Sequence, residues 1–122
     1  MTVLDTSALI RFFTKDDVKK PLKVKNLIES RERVYIPEVV FAELEYVLRG
    51  VVYGEGKSKI VKAFKFLLGK ENIKVSSKLS LAVQIYEQTD LDIADCLIIS
   101  HAKNRKLLSF DKKMVRRHFT LS

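Results

Sequence analysis

The chain opens on Thr2-Val3-Leu4-Asp5-Thr6-Ser7-Ala8-Leu9-Ile10-Arg11-Phe12-Phe13, a run that reads as a strand feeding directly into a helix. Thr2 to Leu4 is short, apolar and rich in β-formers, whereas Asp5, Thr6 and Ser7 carry the side-chain oxygens that cap a helix over Ala8 to Phe13. Asp5 is therefore predicted at the carboxyl end of a strand. The same alternation continues along the chain. Pro21 suits the first turn of a helix carrying Leu22, Leu27 and Ile28, and Arg33 to Ile36 reads as a second strand. Pro37 then opens a helix that is predicted to run to about Val52, to break at Gly54-Glu55-Gly56, and to be followed by another over Ser58 to Leu68, so that a helical hairpin is expected. Beyond it, Asn72 to Val75 is a short strand, Leu79 to Gln88 and Ile93 to Asn104 are helices, and Lys106 to Phe110 is a further strand. Met114 to Arg117 is expected to form one turn and His118 to Leu121 an edge strand.

Strands alternating with helical stretches imply βαβ units, and hence an α/β fold of three layers, α/β/α, around a mainly parallel sheet of 4–5 strands. In such sheets ligands bind beyond the carboxyl ends of the strands, where Asp5 and Asp111 are both expected. The length of 122 residues with 47% hydrophobic content is that of one compact domain spanning residues 1–122. A charged fraction of 31% argues against disorder, and 23 Lys and Arg against 15 Asp and Glu leave a net charge of +8, which favours a polyanionic partner such as nucleic acid. Cys96 is the only cysteine, which excludes an intrachain disulfide and a multi-thiolate zinc site and fits a reducing, cytoplasmic setting. The opening residues lack the pattern of a signal peptide, and no run approaches the roughly 18 apolar residues that span a membrane.

Two acids stand where a core is expected. On a helical wheel with Val40 at zero, Val39, Leu44, Val47 and Leu48 mark a buried arc with it, Glu43 lies about 60° away from Val40 inside that arc, and Glu38, Glu45 and Arg49 lie opposite. A carboxylate aimed at a core is costly unless it is paired, protonated or bound to a metal, so Glu43 is either a metal ligand or the partner of a Lys or Arg. The segment Asp92-Ile93-Ala94-Asp95-Cys96-Leu97-Ile98-Ile99 is nearly apolar all round, and within it Asp95 falls among Ile98, Ile99 and Ala102. Asp92 precedes the apolar run by one residue, as an N-cap does, and Asp95 is open to two readings, ligand or acidic partner of that cap. Asp5, Glu43, Asp95 and Asp111 would repel one another if they converged without a cation. Magnesium or manganese, one or two ions, resolves that conflict, because hard ions take a few carboxylates and leave room for phosphate oxygens. A water activated by such an ion could attack a phosphodiester without any Ser, Cys or His nucleophile.

Val3 to Leu9 (Val-Leu-Asp-Thr-Ser-Ala-Leu), Phe41 to Leu44 (Phe-Ala-Glu-Leu), Ile93 to Ile98 (Ile-Ala-Asp-Cys-Leu-Ile) and Leu108 to Asp111 (Leu-Ser-Phe-Asp) together resemble the PIN-domain nucleases, in particular the stand-alone toxin ribonucleases of the VapC type. The resemblance covers almost the whole chain. It implies that Asp5, Glu43 and Asp95 are the core metal ligands and Asp111 the fourth acid, that Ser109 and Thr6, with Ser7, orient ligands or water, and that the chain is an endoribonuclease. It further implies a homodimer formed through the helical hairpin and a small antitoxin protein whose tail enters the active site. Met114 departs from the pattern, standing where relatives often carry Phe.

Substrate affinity must come from basic residues, since carboxylates repel phosphate. Lys59, Lys62 and Lys65 form one group, and Lys103, Arg105, Lys112, Lys113, Arg116 and Arg117 gather around the last two motifs; for each, RNA contact and a solvated face are both open. His101 and His118 lack a paired-ligand pattern, and Cys96 is read as core packing. A haloacid-dehalogenase-like phosphatase would need a second Asp at position 7, where Ser7 stands. A non-catalytic RNA-binding module explains the charge but not the acids, and a ribosomal-RNA processing nuclease is the nearest alternative within the family.

Overall fold

The computed structural model describes residues 1–14, 19–50 and 56–121, and they fall into two compact units, Met1–Ser76 and Ser77–Ser122. The first unit is built around a parallel sheet. Strands β1 (Thr2–Val3), β2 (Val34–Tyr35) and β3 (Ile73–Lys74) lie in the order β1-β2-β3, with Thr2 opposite Val34 and Val34 opposite Ile73. The ladder extends past the short strands: the Leu4 amide donates to the Tyr35 carbonyl at 3.0 Å and the Ile36 amide to that of Lys74 at 3.1 Å.

Parallel strands need crossovers, and each crossover here holds two helices. Helices α1 (Thr6–Thr14) and α2 (Lys19–Glu29) lie between β1 and β2, and α3 (Glu38–Arg49) and α4 (Lys57–Leu68) lie between β2 and β3. Pro37 sits at the α3 N-cap with φ −63° and ψ 153°, where its missing N–H removes no intrahelical bond. Helix α1 packs on α2 and α3, and α3 on α4, where the Phe41 and Phe64 rings meet edge to face with centroids 5.3 Å apart. Leu9, Ile28, Val34, Ile36, Leu44, Ile60 and Leu67 are buried with them. Helix α3 stops at Arg49, short of the expected Val52, because Gly50, a poor helix former, takes an extended conformation with φ −63° and ψ 164°; residues 51–55, with the expected break at Gly54-Glu55, lie outside the described residues, and Gly56 is the N-cap of α4.

The second unit is helical. Helices α5 (Leu79–Gln88) and α6 (Ile93–His101) pack side by side, and the buried Ser100 hydroxyl donates to the Lys78 carbonyl at 2.8 Å. The end of α6 is thereby fastened to the start of α5, which makes the pair antiparallel. Helix α7 (Lys112–Thr120) packs on α6.

Two sequence expectations are corrected in this unit. The sheet among the described residues has three strands rather than 4–5, because Lys106 to Phe110 forms no strand: Leu108 and Phe110 are 90% and 98% exposed, so the apolar side chains that suggested a buried strand have nothing to pack against. The turn at Met114 to Arg117 and the edge strand at His118 to Leu121 are replaced by the single helix α7. Asp111 caps that helix, and its Met114, Arg117 and His118 recur at helical spacing on the side that meets the rest of the unit.

Candidate functional site

Asp5 follows β1 immediately and stands at the amino end of α1. Its Oδ1 accepts the Ala8 amide at 3.0 Å and the Ser7 hydroxyl at 2.9 Å, while Oδ2 takes neither bond. The Ala8 N–H first, and the Ser7 hydroxyl next, hold this carboxyl below its ordinary range, so Asp5 is an anion at neutral pH. Thr6 reaches the other way, its hydroxyl donating to Glu43 Oε1 at 2.7 Å. That bond joins α1 to α3 and sets the Glu43 carboxylate beside the residue that follows Asp5. Both acids come from segments that leave the carboxyl ends of adjacent parallel strands, the region where α/β sheets bind ligands.

Glu43 is exposed, against the expectation that it points into the core, and the buried acid of α3 is Glu45, 5% exposed, with Arg49 Nη1 at 3.3 Å from its Oε2. The reason is Phe41. The buried positions of α3 are Val40, Phe41, Leu44, Glu45 and Leu48, whereas Val39, expected on the buried arc, is 62% exposed; the bulky Phe41 turns that arc by about 60° away from Val40, towards Glu45 and away from Val39 and Glu43. Exposure leaves the Glu43 carboxylate open to solvent.

In the second unit Asp92 is the α6 N-cap, its Oδ1 accepting the Asp95 amide at 2.8 Å, as its position before the apolar run predicts. Asp95 lies in the first helical turn and is half-buried, between exposed Ile98 and buried Ile99 one turn on. Asp111 caps α7, and its Oδ1 accepts the Lys113 and Met114 amides at 3.0 and 3.2 Å. Ser109 acts on this acid through the backbone: its hydroxyl oxygen accepts the Asp111 amide at 3.0 Å. Lys113 is turned aside to Asp90, 2.8 Å from its Oδ2, and that hydrogen bond, reinforced by the charge of Asp90, raises the Lys113 pKa.

Among the described residues no three His, Cys, Asp or Glu side chains are grouped so as to hold a metal ion. The donors at the carboxyl ends of β1 and β2 are nonetheless of one chemical kind. An ionised Asp5, the Glu43 carboxylate and the Thr6 hydroxyl are hard oxygen donors, the set that suits magnesium or manganese, which bind through one or two carboxylates and keep several waters.

A family model for the PIN domain matches residues 2–119. The chain belongs to the PIN-domain family. Neither the curated proteins nor the solved structures yielded a match. PIN domains are a family of nucleases that generally depend on divalent cations, and the matched span of this PIN domain includes Asp5, Thr6, Glu43, Asp95, Ser109 and Asp111. No helix among the described residues is long and apolar enough to cross a membrane.

Two features of this PIN domain differ from what the sequence alone predicts. The burial of Glu45 was signalled by Phe41, which extends the apolar arc in its direction. The pairing of Thr6 with Glu43 carried no sequence signal, because the residues are 37 apart and on different helices.

Proposed function

We propose that residues 1–122 act as one PIN nuclease domain, a magnesium- or manganese-dependent endoribonuclease that is the toxin of a VapC-type toxin–antitoxin pair. The family match over residues 2–119 carries the reading. The net charge of +8 supports a polyanionic substrate, here RNA. In this reading Asp5, Glu43, Asp95 and Asp111 are the ligands of one or two ions, and Thr6, Ser7 and Ser109 position them. The protein works in the cytoplasm as a homodimer formed through the α3–α4 hairpin and is silenced by a small antitoxin.

A hard divalent cation supplies the Lewis acidity that activates water and offsets charge at phosphorus. The chain's own work is orientation. Ser7 and the Ala8 amide hold Asp5 ionised and fix its rotamer, leaving Oδ2 for a ligand. Thr6 fixes the Glu43 carboxylate through Oε1 in the same way. Asp111 is aimed by two amides of α7. Such bonds to the far side of a ligand restrict its motion, and removing one typically costs about 10- to 100-fold in metal affinity or activity.

The test is cleavage of a labelled RNA with manganese. Asp5→Asn and Asp95→Asn are expected to abolish cleavage while circular dichroism remains that of the wild type. Full activity in the rigorously purified double variant would overturn the assignment.

A further inference from the structure

Helix α7 has two faces with different uses. Met114 is buried, Arg117 Nη2 donates to Gln88 Oε1 at 2.6 Å, and His118 Nε2 lies 2.8 Å from the Ala102 carbonyl oxygen; this side fastens the helix to its unit. Lys112, Val115, Arg116 and Phe119 recur three and four residues apart and form the outer stripe. Together with Ser109 and Phe110 they line an open groove of about 540 Å³.

The exposure in this groove is unusual. Phe110 is 98% and Phe119 80% exposed, and neither ring meets another aromatic ring among the described residues. Large apolar groups left in water at one place mark a binding surface more often than chance packing. Charge narrows the choice of occupant. Lys113 and Arg117 are spent on Asp90 and Gln88, whereas Lys112 and Arg116, one residue before each, have no carboxylate partner among the described residues. Two aromatic faces interleaved with two unpaired cations complement a strand of unpaired nucleotides, whose bases stack on rings while phosphates meet Lys and Arg. A double helix fits less well, because its bases already stack on each other.

We propose that the groove formed by Phe110 and the outer stripe of α7 is a stacking site for single-stranded RNA. Phe110 and Phe119 take bases, and Lys112 and Arg116 take the flanking phosphates. The groove adjoins Asp111, which Ser109 and α7 hold in place, so a nucleotide seated there is presented next to that acid. This deepens the ribonuclease reading and rests on it for the meaning of Asp111, though the stacking itself does not.

Binding is measured on the full chain by fluorescence anisotropy of a short labelled single-stranded RNA, in EDTA so that nothing is cut, with a blunt RNA duplex of the same length beside it. Phe110→Ala and Phe119→Ala are expected to weaken single-strand binding by about tenfold each and duplex binding little, with Phe110→Trp restoring it. Lys112→Ala and Arg116→Ala are expected to lower the slope of log affinity against log salt by about 0.7 each. No single-strand binding by the wild type, unchanged affinity in both Phe variants, or equal loss for strand and duplex would overturn the proposal. So would Phe variants that only convert a dimer to a monomer in sedimentation, which would make the groove an interface between copies. Cleavage with manganese is assayed separately: stacking without any cleavage refutes the nuclease reading alone, and cleavage with unaltered binding in the Phe variants refutes the groove alone.

Discussion

Thr6 is a small residue placed to act through another. Its hydroxyl spans from the start of α1 to the Glu43 carboxylate, and in an exposed setting that bond contributes about 1 kcal/mol or less to folding. Its worth is in orientation. Thr6→Val keeps the shape and removes the donor, so manganese-dependent cleavage is expected to fall about tenfold or more while the melting temperature hardly moves. Thr6→Ser, which keeps the hydroxyl, is expected to restore most of the loss; an inactive Ser variant, or a fully active Val variant, would show that the bond has no part in the chemistry. Position 6 was legible in the sequence because a hydroxyl next to a strand-end Asp suits both a helix cap and a ligand site. Its partner was not, since a pairing across 37 residues depends on how α3 is rotated.

At the scale of elements, capping was the most readable signal. Asp5 and Asp92 stand at helix starts where a short acceptor side chain precedes an apolar run, and both accept amide hydrogen bonds there. Asp111 caps as well, yet the local pattern of residues 114–121 is that of a turn and a strand. The nine residues of α7 contain Lys112, Lys113, Arg116 and Arg117, and Phe119 and Thr120, the aromatic and β-branched residues that follow them, suggest an extended segment when taken by local propensity alone. The helix follows from packing of Met114 together with the cap. Asp111→Ala is therefore expected to destabilise the protein by about 1 kcal/mol, read as a shift in urea midpoint, whether or not a metal is present. A shift seen only with manganese would assign Asp111 to the metal rather than to the helix. Helix α3 shows the complementary case: its start after Pro37 was legible, but its end at Arg49 and the side it buries were not, and that side is set by Phe41, which brings Glu45 in and leaves Glu43 out.

For the molecule as a whole, a cation held by carboxylates from separate elements binds the folded chain far better than the unfolded one. Manganese is then expected to raise the melting temperature in proportion to RT ln(1 + [L]/Kd), which is about 2.7 kcal/mol at a hundredfold excess over Kd. Calorimetry with manganese, magnesium and EDTA checks this. Equal melting in all three would refute a folded-state metal site, and loss of the manganese effect in Asp5→Asn is the expected companion result. The same experiment separates a nuclease from a simple RNA-binding module, whose stability would not follow the metal.

The residues alone determined the α/β class, the parallel pairing of strands through helical crossovers, and the acids that stand at strand and helix ends, because capping, turn chemistry and hydrophobic period act over a few neighbouring positions. Tertiary structure alone decided that Glu43 faces solvent and holds Thr6, that Glu45 is buried, that Leu108 and Phe110 join no sheet, and that α7 is a helix with an open aromatic stripe. Each of these depends on which distant side chains compete for the same interior, a competition that a local pattern does not contain.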